Sequence, residues 1–514
     1  MEFLKAVVLA ACVCNTAVQS LYFTHMLQLN SYRSERYRKW CRDNSGKLIN
    51  ARRLWPLLLL VCAFLPPLYC LIASAVILFA ATALNFPQKA KKPLVFTARV
   101  KRLLVTQTLL TALVLWRAWL LPIGWGAVLL AVFSLEIWAW IGLSNLINTP
   151  LEKAVAKWYV GDARRMLKNH SRLTVIGITG SYGKTSTKTF LHALLSARYN
   201  VLMTPESFNT TMGVVRTVRE HLRPSHEIFI AEMGAKNRGD IREICDLVSP
   251  QYGIITSIGE QHLETFRTVG NIVATKFELA DALPQNGCLV TCGDNAYIRD
   301  RLAENPPHCK TVVYGFKNAD VTITDYRVDL NGCTFTVQIG EEKQTFTTKL
   351  LGSHNLQNLA ACIAVAHQLG VSLGEMVYPI RLLKPVEHRL QLLPNGYIDD
   401  AYNSNPAGFR SALDVLRQFD AQRVLVTPGM VELGVRQDAL NRELGEYAAD
   451  CCDVAILVGE RQAPPLKEGL LKGGFAEENL HVVSTLQQGL ALLQQIPATK
   501  NRIVLLENDL PDNF

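Results

Sequence analysis

The stretch Val175-Ile176-Gly177-Ile178-Thr179-Gly180-Ser181-Tyr182-Gly183-Lys184-Thr185-Ser186 leaves few folds open to the chain around it. A β-branched apolar run, a glycine-bearing turn and a Lys-Thr-Ser opening read as a buried strand, a tight loop and a helix start. Glycine lets backbone approach a phosphate closely, and the unpaired N–H groups of a helix start point at the anion. Lys184 can reach outer phosphates, and the Thr185 hydroxyl can coordinate Mg2+. The spacing is shortened. Ile178 stands where the common nucleotide loop has its first glycine, so the working pattern is Gly180-x-x-Gly183-Lys184-Thr185. Gly180, Ser181, Gly183, Lys184, Thr185 and Ser186 form the candidate phosphate cradle. Taken alone, the motif is also compatible with a glycine-rich turn that holds no ligand.

Charge separates the chain into two regions. Residues 1–102 carry 15 Lys/Arg against 3 Asp/Glu, a net of +12, whereas the whole 514-residue chain totals +9. The basic excess flanks apolar runs, which points to anionic headgroups and membrane topology and away from nucleic acid. Those runs are residues 3–23, 54–86, 103–121 and 125–147. Arg33 to Arg53 form one basic loop between them, and Lys89 to Arg102 a second. The run 54–86 exceeds a single span of about 20 residues. With both basic loops on the cytoplasmic side, it is expected to form a hairpin or re-entrant pair broken at Pro66-Pro67; a kinked single span is the alternative. This predicts a multi-pass cell-membrane protein with an uncleaved N-terminal anchor, up to five crossings and its remaining domains in the cytoplasm. Arg117 and Glu136 fall within the last two spans, as functional groups or as a snorkelling, mutually paired set. The cysteines show no zinc-type spacing and suit a reducing compartment.

Beyond the 1–150 membrane region, residues 151–170 read as a basic amphipathic connector. From 171 to 380, strands at Leu173–Ile178, Glu227–Ala231, Tyr252–Thr256 and Cys288–Thr291 alternate with helices, as in a parallel sheet. Residues 311–350 switch to period two around Asn331-Gly332, a small β insertion, and 353–370 return to helix. From 381 to 514 a second α/β unit has strands at Arg423–Val426, Val454–Val458 and Ile503–Leu506 and no second Gly-Lys-Thr loop. The fold class is α/β: N-terminal transmembrane helices, a phosphate-loop parallel-sheet central domain, then a Rossmann-like C-terminal domain.

Several polar residues fall where an open α/β sheet binds ligands. Glu232 ends a strand and can hold Mg2+ beside Thr185. His262, in Ser257-Ile258-Gly259-Glu260-Gln261-His262, follows the next strand to the same edge; a structural hydrogen bond is its plainer role. Lys276 lies just inside a helix, as a ligand or as a solvated lysine. Asn355 and Asn358 are three apart on one helix face, able to bond a purine or ribose, or to cap and coat the helix. The pair Asp399-Asp400, which follows Glu387-His388-Arg389-Leu390 directly after a strand, suits a phosphate–Mg2+ or ribose contact across a domain cleft, or a turn before the helix capped at Asn405-Pro406.

In order, TGSYGKTSTK, SFNTTMGV, AEMGAKNRGDI, SIGEQHLE, GSHNLQN and IDDAYNSNP resemble the Mur ligase family over roughly residues 170–514, most closely its MurF branch. The resemblance implies an ATP-dependent ligase of cell-wall synthesis. It activates a carboxylate as an acyl phosphate and joins it to an amino acid or dipeptide such as D-Ala-D-Ala. It further implies that Thr185 and Glu232 hold one Mg2+, and that His262 and a carbamylated Lys276 hold another. Asn355 and Asn358 would contact the nucleoside, with Arg389 and Asp400 reaching across the cleft. Lys184, His262, Lys276 and Arg389 would be the catalytic set. The chain departs from the family at Cys292-Gly293-Asp294 and at Pro428-Gly429-Met430, and spans replace the uridine-nucleotide-binding domain. The implied partners are therefore membrane lipids and a peptide or lipid-linked precursor. A poly-γ-glutamate-type synthetase and a non-catalytic ATP-binding scaffold are the alternatives.

Overall fold

Strand β1 (Thr174–Thr179) lies inside a sheet because five of its six residues are buried, which only a two-sided cover allows. In the computed structural model the described residues are 1–48, 50, 52–86, 93–205, 208–260, 263–329, 332–401, 404–431, 433–459, 463–498 and 501–508. The chain divides into two compact units, Met1–Trp158 and Tyr159–Phe514.

In the second unit β1 is joined by β2 (Val201–Met203), β3 (Ile228–Glu232), β4 (Tyr252–Ile255), β5 (Cys288–Cys292), β6 (Lys310–Gly315), β7 (Val321–Asp329), β8 (Gly332–Ile339) and β9 (Glu342–Thr348). The order is β2-β3-β1-β4-β5-β6-β7-β8-β9, parallel up to β7 and antiparallel through β8 and β9. Strands β3 and β5 are buried at every position, whereas β8 and β9 alternate between buried and exposed residues, as a sheet with one wet face must. The expected β insertion is thus a continuation of the main sheet. Asn331 of its hairpin signal lies outside the described residues. Behind the sheet, helix Ser353–Gln368 is buried along most of its length and packs against helix Lys184–Leu195, where Cys362 Sγ meets Thr187 O at 3.3 Å.

A second sheet contains β10 (Gln391–Leu392), β11 (Tyr397–Asp400), β12 (Gln422–Thr427), β13 (Val454–Val458), β14 (Leu480–Val483) and β15 (Arg502–Glu507). Its order is β10-β11-β15-β12-β13-β14, parallel except for β10.

Within the first unit, helices Glu2–Leu29, Pro67–Leu84 and Ala98–Leu120 are long and apolar enough to cross a membrane. Helices Ile123–Leu135 and Ile137–Lys168 meet at a 72° bend and would make a fourth span together. The run 54–86 is broken at Pro66-Pro67 as expected: Trp55–Leu57 and Leu58–Cys62 fold back against helix Pro67–Leu84, and Asn85 Nδ2 donates to Arg52 O at 3.2 Å at the open end of this hairpin. Its first arm contains a helix of only five residues, Leu58–Cys62, about 7.5 Å long at the helical rise. Pro66 and Pro67 then start the 18-residue helix Pro67–Leu84. The first arm is short, so the described residues hold three helices, or up to four with the bent pair counted as one, long and apolar enough to cross a membrane, within the expected upper limit of five. Residues 151–168 of the expected connector are the second half of helix Ile137–Lys168. Arg117 and Glu136 are exposed and make no ion pair with each other; Arg102 instead grips Glu152 with both nitrogens, at 2.6 and 2.9 Å.

Candidate active site

The loop after β1 is closed by backbone geometry that only glycine tolerates. Gly180 has φ +150° and Gly183 φ +79°. A Cβ on Gly180 would lie 2.0 Å from Thr256 Oγ1, and one on Gly183 2.4 Å from Asn358 Oδ1. The loop is tied to the segment after β4: Ser181 N donates to Ser257 O at 2.7 Å, and Ser181 Oγ to Gly259 O at 3.1 Å. Helix Lys184–Leu195 starts at Gly183, so its free N–H groups and positive dipole end face the crevice above β1 and β4.

Lys184 folds back on its own loop, donating to Gly180 O at 2.7 Å and Ser181 O at 3.0 Å. Burial lowers its pKa to about 8, with Glu232 opposing and Arg389 adding to the effect. Thr185 Oγ1 donates to Glu232 Oε1 at 3.2 Å, the adjacency the sequence predicted. Two further partners of Glu232 were not foreseen. Asn209 Nδ2 donates to the same oxygen at 3.2 Å, and Lys188 Nζ sits 3.0 Å from Oε2. Lys188 and Glu232 are each only 1% exposed. The signal for Lys188 was its place one turn after Lys184 on the same helix face.

Hard oxygen donors of this kind suit Mg2+, which keeps few protein ligands and completes its shell with phosphate and water. Thr185 and Glu232 therefore fit one Mg2+. Among the described residues no group of three or more His, Cys, Asp or Glu side chains could hold a metal. His262 lies outside the described residues. Lys276, 3% exposed on helix Val269–Ala282, is buried and not solvated. Burial first, and the charge of Lys184 second, bring its amine down to about 7, against the pull of Asp240 and Glu278.

A cleft of about 430 Å³ opens beside the loop, between the two sheets. Tyr182, Gly183, Ser186 and Asn358 line one wall, and Arg389, Asp400 and Glu507 the other. Asn358 is held by Thr187 Oγ1 at 3.2 Å. Asn355 is instead turned to Leu351 O at 2.7 Å and is not among the lining residues. Asp294, in the unusual Cys-Gly-Asp sequence, accepts from Phe316 N and Gln357 Nε2, both at 2.9 Å.

The far wall pairs two carboxyls. β11 and β15 are parallel in a register that sets Asp400 beside Glu507. Burial raises Asp400 to about 6, although Arg389 and the Leu390 N–H pull it down. Burial, with Asp400 as neighbour, raises Glu507 well above its usual range. Ser404 Oγ donates to Glu507 Oε1 at 2.6 Å. Arg389 sits between His388 and Leu390, both with positive φ (58° and 50°), a backbone conformation that costs about 1 kcal/mol or more per residue. Asp399 turns away to His388 Nδ1 at 2.7 Å. Links across the domains include His354 Nδ1 to Ser411 Oγ at 2.7 Å and an ion pair of Arg436 with Glu260. Burial, then Arg389, lowers His354 to about 4, so it is neutral. Glu507, His354 and Arg436 escaped the sequence reading because only the pairing of distant strands and loops brings them to the cleft.

The sequence profile of the Mur ligase middle domain matches residues 178–366, and that of the Mur ligase glutamate ligase domain matches 388–507. The UDP-N-acetylmuramoyl-tripeptide–D-alanyl-D-alanine ligase of Bacillus subtilis is 32% identical over 306 residues, 58% of this chain and 65% of that protein. The Escherichia coli ligase of the same name is 30% identical over 332 residues, 62% of this chain and 73% of that protein. The chain thus spans just under two thirds of the length of the first of these relatives. Among solved structures, MurF from Acinetobacter baumannii superposes with TM-score 0.63 at 26% identity, covering 69% of this chain and 77% of that one. MurF from Thermotoga maritima in complex with ADP gives 0.62 at 26%, covering 69% and 80%.

Proposed function

The chain belongs to the Mur ligase family, and from that premise we propose that it is an ATP-dependent amide ligase of peptidoglycan synthesis, anchored in the cell membrane. The observation that carries the reading is the closure of the Gly180–Thr185 loop on Thr256 and Asn358, with Thr185 against Glu232 and Arg389 across the cleft. The named activity of its relatives suggests D-Ala-D-Ala as the amine and a tripeptide carboxylate as the acceptor.

In this reading the loop N–H groups and Lys184 bind the ATP phosphates. The acceptor carboxylate attacks the γ-phosphorus, the bond to ADP breaks, and an acyl phosphate forms. The amine then attacks the acyl carbon, loses a proton and expels phosphate, leaving an amide. Thr185 and Glu232 would hold Mg2+, which neutralises phosphate charge when bound. Lys184 leaves its loop carbonyls for the phosphates, and Arg389 adds positive charge from the opposite wall. Lys276, with a pKa of about 7, keeps much of its amine unprotonated at neutral pH. That form adds CO2 and releases a proton, so a carbamate at Lys276 fits the site. Glu507, raised well above its usual range, holds its proton, so the far wall carries at most the Asp400 charge, faced by Arg389.

The apolar helices support anchoring, with membrane lipids as partners and the catalytic unit on the cytoplasmic side. They also favour an acceptor presented at the membrane. The test is to give the full-length protein in detergent ATP, D-Ala-D-Ala and tripeptide acceptors linked either to a nucleotide or to a lipid. ADP and a product heavier by the dipeptide minus water are expected. ADP formation with no acceptor at all, or none with any pair, would sink the ligase reading.

A further inference from the structure

The end of the N-terminal bundle nearest its basic residues borders an open cavity that ligation chemistry does not use. Its volume is about 710 Å³, and its wall includes Tyr22, His25, Arg52, Arg53, Asn85 and Phe96. Three hydrogen bonds stitch the rim. Gln28 Nε2 donates to Val95 O at 2.9 Å, Val95 N to Gln28 Oε1 at 3.0 Å, and Asn85 Nδ2 to Arg52 O at 3.2 Å. The end of helix Glu2–Leu29, the end of helix Pro67–Leu84 and the approach to helix Ala98–Leu120 are thereby held around one space.

Two buried nitrogens in this wall have no hydrogen-bond partner among the described residues. The Arg53 guanidinium lies over Tyr22 and Phe23, 4.3 and 4.6 Å from their ring centroids. Its Nη1 is buried and unbonded among the described residues, and no described carboxylate pairs with it. His25 is 9% exposed, and its Nε2 is likewise buried without a partner. Leaving a buried charged donor unbonded costs more than a typical hydrogen bond returns. An acceptor able to take bonds from more than one direction would satisfy both. Phosphate does so, and the planar guanidinium matches its oxygen spacing. Phe86 and Phe96, at the edge of the same cavity, are 71% and 56% exposed, an apolar lip for an attached chain.

We propose that this cavity binds a phosphate group through Arg53 and His25, carried on a lipid or free in solution. The site rests on the membrane reading of the helices and is independent of the ligase reading. Native mass spectrometry of the full-length protein in detergent, titrated with phosphatidic acid, diacylglycerol of the same chains and inorganic phosphate, tests it. Phosphatidic acid should be retained over diacylglycerol. Arg53→Gln and His25→Ala should each weaken that retention about tenfold, the size of one lost charge-assisted bond. Arg117→Gln should not. Displacement by inorganic phosphate at matched concentration assigns the site to the free anion; no displacement assigns it to the lipid. Where Arg53→Gln does not fold, Arg53→Lys keeps the charge and loses the planar fork, and an intermediate retention is expected. Equal retention of the two lipids, unchanged in the variants and with no binding of inorganic phosphate, overturns the proposal. A chain that leaves the membrane fraction on carbonate washing would overturn the membrane reading instead.

Discussion

Glu232 illustrates how a single carboxylate is accommodated inside this protein. It sits at the end of a fully buried strand, yet Thr185, Asn209 and Lys188 surround it. Removing one member of a buried pair strands the other charge, so Lys188→Met should cost about 3–5 kcal/mol. Urea denaturation reads this directly; a loss under about 1 kcal/mol would show that water already screens the pair. Asp400 works in the opposite sense. Its folded pKa of about 6 lies above its ordinary 3.8, so between these values the folded chain holds more protons than the unfolded one. Its contribution is full below the unfolded pKa and is lost as pH rises through the folded one. Asp400→Asn should therefore flatten the fall in melting temperature between about pH 4 and 7. An unchanged slope would place the titration elsewhere.

Elements meet closely where glycine permits it. Helices Gln437–Ala448 and Ala463–Lys472 touch backbone to backbone: a Cβ on Gly469 would lie 2.1 Å from Arg442 O, and one on Gly445 2.4 Å from Leu466 O. Gly469→Ala must push the helices apart, against a gain of up to about 1 kcal/mol in helix propensity. A net loss of about 1–3 kcal/mol is expected from the overpacking. Calorimetry of the purified chain checks the sign; a higher melting temperature would mean that the pair can separate freely. The same logic explains β11 and β15, whose parallel register delivers two acids to one wall.

For the whole catalytic unit, the decisive feature is a cleft whose two walls belong to different sheets. Arg436 and Glu260 bridge it, an ion pair that is 49% exposed on the arginine side. Exposed pairs contribute about 0–1 kcal/mol, so Arg436→Ala should leave the fold intact and raise KM for ATP about two- to fivefold with kcat retained. Loss of kcat with unchanged KM would make Arg436 part of the chemistry itself. For the N-terminal unit, the three long apolar helices predict that the full chain stays with membranes through a high-salt or carbonate wash. Recovery in the soluble fraction would remove the anchor from the proposed function.

Much of this protein follows from local sequence. The glycine loop after β1, the strands at 174–179, 228–232, 252–255 and 288–292, and the long apolar helices were legible because each is set by neighbouring residues: glycine placement, β-branched runs, apolar length. The Thr185–Glu232 adjacency was legible because Glu232 ends one strand and Thr185 opens the helix after its neighbour, both at the edge where a parallel sheet delivers them. Other features depended on residues far apart in the chain. The short strand β2 lacks the length to announce itself, and the hairpin at 54–86 has a first arm whose helix is only five residues long, which the apolar run alone did not set. Lys188 looked like any polar helix residue until β3 brought Glu232 beneath it. Asn355 and Asn358 looked equivalent until packing turned one to Leu351 and the other to Gly183. The sequence by itself determined which chemistry the chain could carry, because backbone freedom and residue type are local properties. Only the tertiary structure decided which charges are paired, which acids keep their protons and which donors are left waiting, because burial and proximity are properties of the packed whole.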